Sequence, residues 1–394
     1  MNKVADRIAA EIRETGAIAF ARFMALALYC PNCGYYEREE DMIGSGGDYY
    51  TSVSVGGVFG ELLACQFAEW LEGMQRSRGG GPGVEVEPVQ VVEAGAHGGK
   101  LAGDILGWMS RHRPVVFNHL QYWIIEPSAR RRAWQEENLA GFSGKVCWAG
   151  DVAELRRKAA PPGGLPHSAE VRGVIFSNEL LDAMPVHRLG WDAKRRRWFE
   201  WGVTLEGDRF VWTRMGEGAG NRNGVSKVAL ATVQLQPSIG VEVLEMLPDG
   251  FSVEVCPAAE KWWREAASVL GKGRLLAIDY GLTADEFFMP ERRAGTLRAY
   301  YRHRLSSDVL ASPGEQDITA SVNFSAIRAL GESAGLRTEA FQTQAQFLTG
   351  IAAKAWQIQG AGERWSPERT RQFQTLTHPE HLGRSFRVLL QSRV

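Results

Sequence analysis

The sequence predicts an α/β fold, a doubly wound and mostly parallel sheet interrupted by an antiparallel β insertion. Three observations carry that expectation. From Val89 onward apolar runs alternate with helical patterns, the signature of strands joined by helical crossovers and covered on both faces. One run, "VVEAGAHGGKLAGDIL" from Val91 to Leu106, passes from buried strand through a small-residue loop into a helix, which is where such folds hold an anionic or zwitterionic cofactor. Between Val186 and about Leu247 the pattern begins by alternating aromatic and polar residues, with turn signals at Asp192 and Gly207-Asp208, as antiparallel strands do.

In chain order, Val4 to Leu28 reads as mostly helical, with Ile8, Ile12, Phe20, Phe23, Met24 and Ala27 on apolar stripes and Pro31 to Gly34 ending the run. A Gly/Tyr-rich loop, "IGSGGDYYT", leads into a helix from about Val55 to Leu71, and the glycine-rich Arg78 to Gly83 connects to the core. Strands are expected at Val89–Glu93, Gln121–Glu126, Val146–Ala149, Gly173–Ser177 and Arg274–Tyr280. The expected division is therefore a helical region over 1–83, a core over 84–185 and 248–394, and an inserted β-rich subdomain over 186–247.

The chain has 394 residues, 45 of them basic and 46 acidic. That balance disfavours a dominant phosphate-binding face, so no nucleic-acid partner is expected. Basic clusters at Arg130–Arg132 and Lys194–Arg197 read as solvated faces. No stretch of about 18 apolar residues occurs, so no membrane span is expected. Five cysteines form no disulfide framework and fit a reducing, cytoplasmic setting. Cys30 and Cys33 make a single C-x-x-C that could be half a zinc site or a redox pair, but no second cysteine pair follows, and the incidental reading is preferred. No metal site is expected.

The glycine loop lacks G-x-G-x-x-G, which argues against a nicotinamide cofactor. An acidic residue at the strand end followed by glycines suggests S-adenosylmethionine instead, whose ammonium needs a carboxylate and whose carboxylate needs backbone N–H donors. Glu93 and Gly95 stand at that turn. Glu126 ends the next strand, where a carboxylate can accept both ribose hydroxyls. Asp151, after the third strand, suits either an adenine amino group or a helix N-cap. The fourth strand runs into "SNELLDAMPVHR", delivering Asn178, Glu179 and Asp182 to the sheet's C-terminal edge, either to aim a nucleophile at a methyl group or to cap the following turn. Were the nucleophile a guanidinium, these carboxylates could orient it bidentately. His187 and His303 are candidate bases but more often such residues pack or sit at the surface. Four tryptophans of the insertion, Trp191, Trp198, Trp201 and Trp212, read either as an exposed aromatic patch for a partner or, preferred for most of them, as core.

The segments "FMALALYCPNCGYY", "GDYYTS", "VVEAGAHGGKLAGDIL", "IIEPSARRRAWQ", "SNELLDAMPVHR", "LLAIDYG", "GTLRAYYRHR" and "PGEQDITASVNFSAI" occur in an order that resembles the SAM-dependent methyltransferase family of the mitochondrial complex I assembly protein-arginine methyltransferase and its bacterial relatives. The resemblance runs from about Phe20 to Leu390. It implies a class I SAM-dependent methyltransferase (Rossmann-like) core, with the sheet ending in an antiparallel hairpin, an N-terminal helical region and S-adenosyl-L-methionine as cofactor. By motif match Gly47, Asp48, Thr51 and Ser52 would cover the cofactor, Glu93, Gly95 and Gly99 would hold its methionine end and Glu126 its ribose. Asn178, Glu179 and Asp182 would face an acceptor, a protein arginine, and self-association into a homodimer is allowed for. The chain departs from the family pattern in three places. His97 stands at the middle glycine of the loop and Lys100 at its threonine, Val53 to Gly56 replace Pro-Glu-Ile-Ser, and Cys30 stands where relatives often carry histidine. A side chain at position 97 either crowds the cofactor or adopts a positive φ, with Gly98 expected to absorb the strain. These departures motivate the alternative of a catalytically weakened relative that acts as a protein-binding assembly factor.

Overall fold

The computed structural model describes residues 3–38, 51–76, 88–159, 170–216, 241–301, 304–306, 308–359 and 365–394. The chain divides into two compact units, one of residues 1–50, 181–261 and 280–327, the other of residues 51–180, 262–279 and 328–394.

The second unit carries the parallel sheet. Its strands are β1 (Val89–Ala94), β2 (Leu120–Ile125), β3 (Val146–Ala149), β4 (Val171–Asn178), β5 (Leu270–Leu282), β6 (Arg337–Thr343) and β7 (Phe386–Arg393), in the order β6-β7-β5-β4-β1-β2-β3. All five expected strands are present within a few residues of their expected bounds. The pairs β5/β4, β4/β1, β1/β2 and β2/β3 are parallel, and every residue of β1 is buried, so both faces of the sheet are covered. Helices Lys100–His112, Ala129–Asn138 and Val152–Lys158 follow β1, β2 and β3. The order reverses between β1 and β4, which makes the crevice beyond their carboxyl ends the place for a ligand. β6 and β7 are antiparallel, but they enclose helices Gln344–Gln359 and Pro367–Thr377, so the chain makes an elaborated excursion where the resemblance implied a plain hairpin. A helix over Val58–Arg76 buries Phe59, Leu62, Leu63 and Phe67, and the Phe67 ring lies 5.1 Å from that of Phe176 in β4.

The first unit is built on an antiparallel sheet. Strands His187–Asp192, Arg197–Glu206 and Arg209–Arg214 form the expected meander, turning where Asp192 accepts the Arg195 N–H and at Gly207, whose φ is 60°. The sheet then gains Ser252–Val255 on one side and Ile18–Ala19 on the other. The expected single N-terminal helical run is thus two helices, Lys3–Thr15 and Phe20–Tyr29. Gly16, at φ 81°, ends the first by a left-handed turn, and Ile18–Ala19 pairs with Gly202–Val203 before the second begins. Trp191 and Trp198 are buried and 5.1 Å apart, and Trp212 packs 4.9 Å from Phe20, in keeping with the core reading of the insertion's aromatics. Among the described residues no helix is long and apolar enough to cross a membrane.

Candidate cofactor site

β1 is buried along its whole length and apolar apart from Gln90 until Glu93, whose carboxyl is almost fully buried at the strand's end. Burial penalises its ionised form and pushes its pKa up to about 7, a rise that the 2.6 Å hydrogen bond donated by Tyr122 of β2 only partly offsets. A cationic group beside Glu93 would lower the cost of ionising it, so the site has the chemistry of an ammonium acceptor. Beyond it the chain turns through Gly95 at φ 79° and His97 at φ 47° and caps the Lys100–His112 helix with Gly99 at φ 84°. A Cβ at Gly95 would come within 2.9 Å of the Leu180 side chain, so both conformation and space require glycine there. The strain expected of Gly98 is carried by His97 itself, since Gly98 is absent from the positive-φ residues. Two side chains hold the loop. Gln135 donates to the His97 carbonyl at 2.7 Å and Asn138 to the Gly98 carbonyl at 2.9 Å.

Glu126, just past β2, is buried and already well partnered. Arg131 grips it bidentately through Nε to Oε2 at 3.0 Å and Nη2 to Oε1 at 2.9 Å, the Ser128 N–H donates to Oε1 at 2.8 Å and Gln135 donates to Oε2 at 3.3 Å. Four donors fill the acceptor positions of a carboxylate, the longest of them that from Gln135. The Arg131 side chain, expected on a solvated face, is therefore a correction. It is buried against Glu126, while Lys194 to Arg197 are exposed as expected. Gln135, fully buried, also accepts from Trp148 Nε1 at 3.0 Å, tying the loop, the β2 carboxylate and β3 together. Asp151 is exposed and caps the Val152–Lys158 helix by accepting the Glu154 N–H at 2.6 Å.

At the end of β4, Asn178 and Glu179 meet Ser52. Glu179 Oε1 accepts the Ser52 N–H at 2.9 Å and the Asn178 amide at 3.0 Å, and the Ser52 hydroxyl donates to Gln344 at 3.1 Å. Glu179 has φ 51°, a costly backbone for a non-glycine residue, held by its N–H bond to Ile278 O and by the Leu180 N–H bond to buried Asp279. Asn178 Oδ1 is buried with no hydrogen-bond partner among the described residues. Thr51 and Ser54 exchange backbone and side-chain bonds in a closed turn. Gly47, Asp48 and His303 lie outside the described residues. Asp182 belongs to the first unit, where it is buried and its carbonyl accepts the Ala320 N–H. His187, also there, bonds Glu200 at 2.6 Å. The structure thus brings Ser52, Asn178 and Glu179 together, and joins the Gly95–Gly99 loop to Glu126 through Gln135. Among the described residues no cluster of metal-ligating side chains occurs.

Sequence reasoning missed Tyr122, Arg131, Gln135, Asp279 and Gln344. Only Arg131 left a usable signal, an arginine five residues after Glu126 on the first turn of the next helix.

Comparison with known proteins is consistent with this geometry. The family model described as "Putative S-adenosyl-L-methionine-dependent methyltransferase" matches residues 62–342. The chain is 28% identical over 343 residues to protein arginine methyltransferase NDUFAF7, mitochondrial, of Danio rerio, covering 82% of this chain and 71% of that one. It is 27% identical over 342 residues to the Homo sapiens protein of the same name, covering 82% and 67%. A COG1565 superfamily member from Burkholderia thailandensis, solved bound to S-adenosyl-homocysteine, superposes with a TM-score of 0.76 at 28% identity, covering 99% of this chain and 92% of that one.

Proposed function

Because this chain belongs to the S-adenosyl-L-methionine-dependent methyltransferase family, we propose that the methyl group it transfers goes to an arginine side chain of a protein. Its enzyme class and its cofactor, S-adenosyl-L-methionine, follow from that membership. The bound cofactor supplies an electrophilic methyl on a sulfonium.

In this reading Glu93 accepts from the cofactor's ammonium, the backbone of Gly95 to Gly99 receives its carboxylate, Glu126 takes the ribose hydroxyls and Asp151 lies toward the adenine. Thr51 and Ser52, with Gly47 and Asp48 before them, cover it. Asn178 and Glu179 hold the acceptor guanidinium, and Asp182 is assigned beside them on sequence grounds. In-line displacement asks for positioning more than for acid-base power, and a carboxylate that grips a guanidinium directs one nitrogen lone pair at the methyl.

The observation that carries the proposal is Glu179, a carboxylate kept at positive φ at the sheet's switch point beside an amide oxygen with no partner among the described residues. Strain of about 1–3 kcal/mol at such a place is the mark of a working residue. The curated relatives' names, protein arginine methyltransferases, supply the acceptor class.

The test is incubation with methyl-labelled S-adenosyl-L-methionine and arginine-containing proteins, with the product residue identified by mass spectrometry. Label on arginine, lost in Glu179→Gln while S-adenosyl-homocysteine still binds, is the expected result. Label on lysine or on a small molecule would sink the acceptor assignment and leave the enzyme class standing. The expected cytoplasmic location and homodimer belong to the same reading. The relatives' mitochondrial names point elsewhere for the first, and cell fractionation and sedimentation decide them.

A further inference from the structure

The C-x-x-C that the methyltransferase reading leaves unused has a geometry of its own. Cys30 caps the Phe20–Tyr29 helix, its N–H bonded to Leu26 O, and the chain folds back through Pro31 and Asn32, the latter at φ 64°. The N–H groups of Cys33 and Gly34 both return to the Cys30 carbonyl, at 3.1 and 2.7 Å. The turn is closed so tightly that a Cβ at Gly34 would lie 2.5 Å from the Cys30 nitrogen. This places the Cys33 thiol 3.0 Å from the Cys30 sulfur, toward which it donates. Arg7 of the first helix donates to the same Cys30 sulfur at 3.4 Å. Cys30 is buried and Cys33 half-buried.

We propose that Cys30 and Cys33 are a dithiol that closes to an intramolecular disulfide when it meets a peroxide. Two electrons leave the two sulfurs, one S–S bond forms, the peroxide O–O bond breaks, and the two thiol protons leave in two molecules of water. Cys33 is the sulfur an oxidant can reach, and Cys30 is the one that closes the ring. Both hydrogen bonds run to the Cys30 sulfur, one from the Cys33 thiol and one from the Arg7 guanidinium. Burial and the bond to Cys30 push the Cys33 thiol up to about 11, so the peroxide is attacked by the small thiolate fraction and closure is slow. A disulfide needs its sulfurs about 2.0 Å apart, so closure asks for a sulfur movement of about 1 Å within a turn whose backbone is already bent. Two sulfurs alone are too few for a tetrahedral zinc site, and no third ligand joins them among the described residues. The proposal does not depend on which acceptor the enzyme methylates.

The experiment uses the full chain, reduced and then freed of reductant. It is treated with stoichiometric hydrogen peroxide, quenched with N-ethylmaleimide in denaturant, and mapped by tryptic digestion and mass spectrometry without reduction. Both cysteines fall on one tryptic peptide, Phe23 to Arg38. The expected result is that this peptide escapes alkylation and loses the mass of two hydrogens, while Cys65, Cys147 and Cys256 take the label. Cys33→Ser, at the half-exposed position, should leave Cys30 alkylated after the same treatment, with an unchanged circular-dichroism spectrum. A peptide that carries two maleimides, or a sulfinic acid on either cysteine without the disulfide, would overturn the proposal.

Discussion

Glu93 gives the sharpest test of the cofactor site, because its two predicted effects have opposite signs. In the ligand-free protein its carboxyl holds a proton up to about pH 7, whereas an unfolded chain releases it near 4.5. The folded state therefore binds more protons between those values, and stability falls as pH rises through that window. At roughly 1.4 kcal/mol per pH unit the full penalty above pH 7 is about 3 kcal/mol, an upper figure for a wholly buried group. Ligand binding should run the other way. If the cofactor's ammonium faces Glu93, binding requires the ionised form, so affinity for S-adenosyl-homocysteine should rise about tenfold from pH 6 to pH 8 and level off beyond. Isothermal titration over that range, in buffers of different ionisation heat, measures both the affinity and the proton released. Glu93→Gln should flatten the profile and weaken binding while raising the melting temperature at pH 8, since no buried charge remains. A wild-type affinity that is flat with pH, or a glutamine variant that binds as well as the parent, would refute the assignment of Glu93 to the ammonium.

Three further predictions follow from the loop and its supports. Gln135→Leu strands the His97 carbonyl and the Trp148 N–H, at about 1–3 kcal/mol for each buried group left unpaired. Denaturant unfolding should show that loss, and S-adenosyl-homocysteine titration a weaker affinity. Asp151→Ala removes a helix N-cap and should cost about 1 kcal/mol of stability, measured by the same unfolding; a change in cofactor affinity as well would support its adenine role. His97→Gly relieves about 1–2 kcal/mol of left-handed strain against the roughly 0.5–1 kcal/mol entropy of a glycine, so a small gain in stability and at most a few-fold gain in cofactor affinity are expected. A gain of a hundredfold or more would instead favour the weakened, assembly-factor reading.

The parallel sheet was legible because its strands are apolar runs with few alternatives, and the crevice because Glu93, Glu126 and Asn178-Glu179 each follow such a run. What lay hidden has physical reasons. Ile18–Ala19 is two residues long, too short for any period, and sits between helices. Tyr122 reads as one more core residue of "LQYWII", since its hydroxyl matters only when the neighbouring strand brings Glu93 alongside. Arg131 stands in a basic triplet, and its spacing from Glu126 is the one local hint that one of the three folds back to grip that carboxylate. Gln344 is remote from Ser52 in sequence, and only the fold brings the two within 3.1 Å.

The single glutamine at position 135 makes the two halves of the cofactor site mechanically one body. A displacement of the glycine loop pulls on the same amide that donates to Glu126, so if Glu126 takes the ribose, as proposed, neither end of the site can settle without the other noticing. Fragments of the cofactor should then bind with energies that do not add up to that of the whole, methionine gaining when adenosine is already seated or losing when adenosine has drawn Glu126 away from its glutamine. A histidine in a backbone conformation suited to glycine is tolerable under such an arrangement, because the loop's shape is enforced from the neighbouring helix and not left to the loop's own residues.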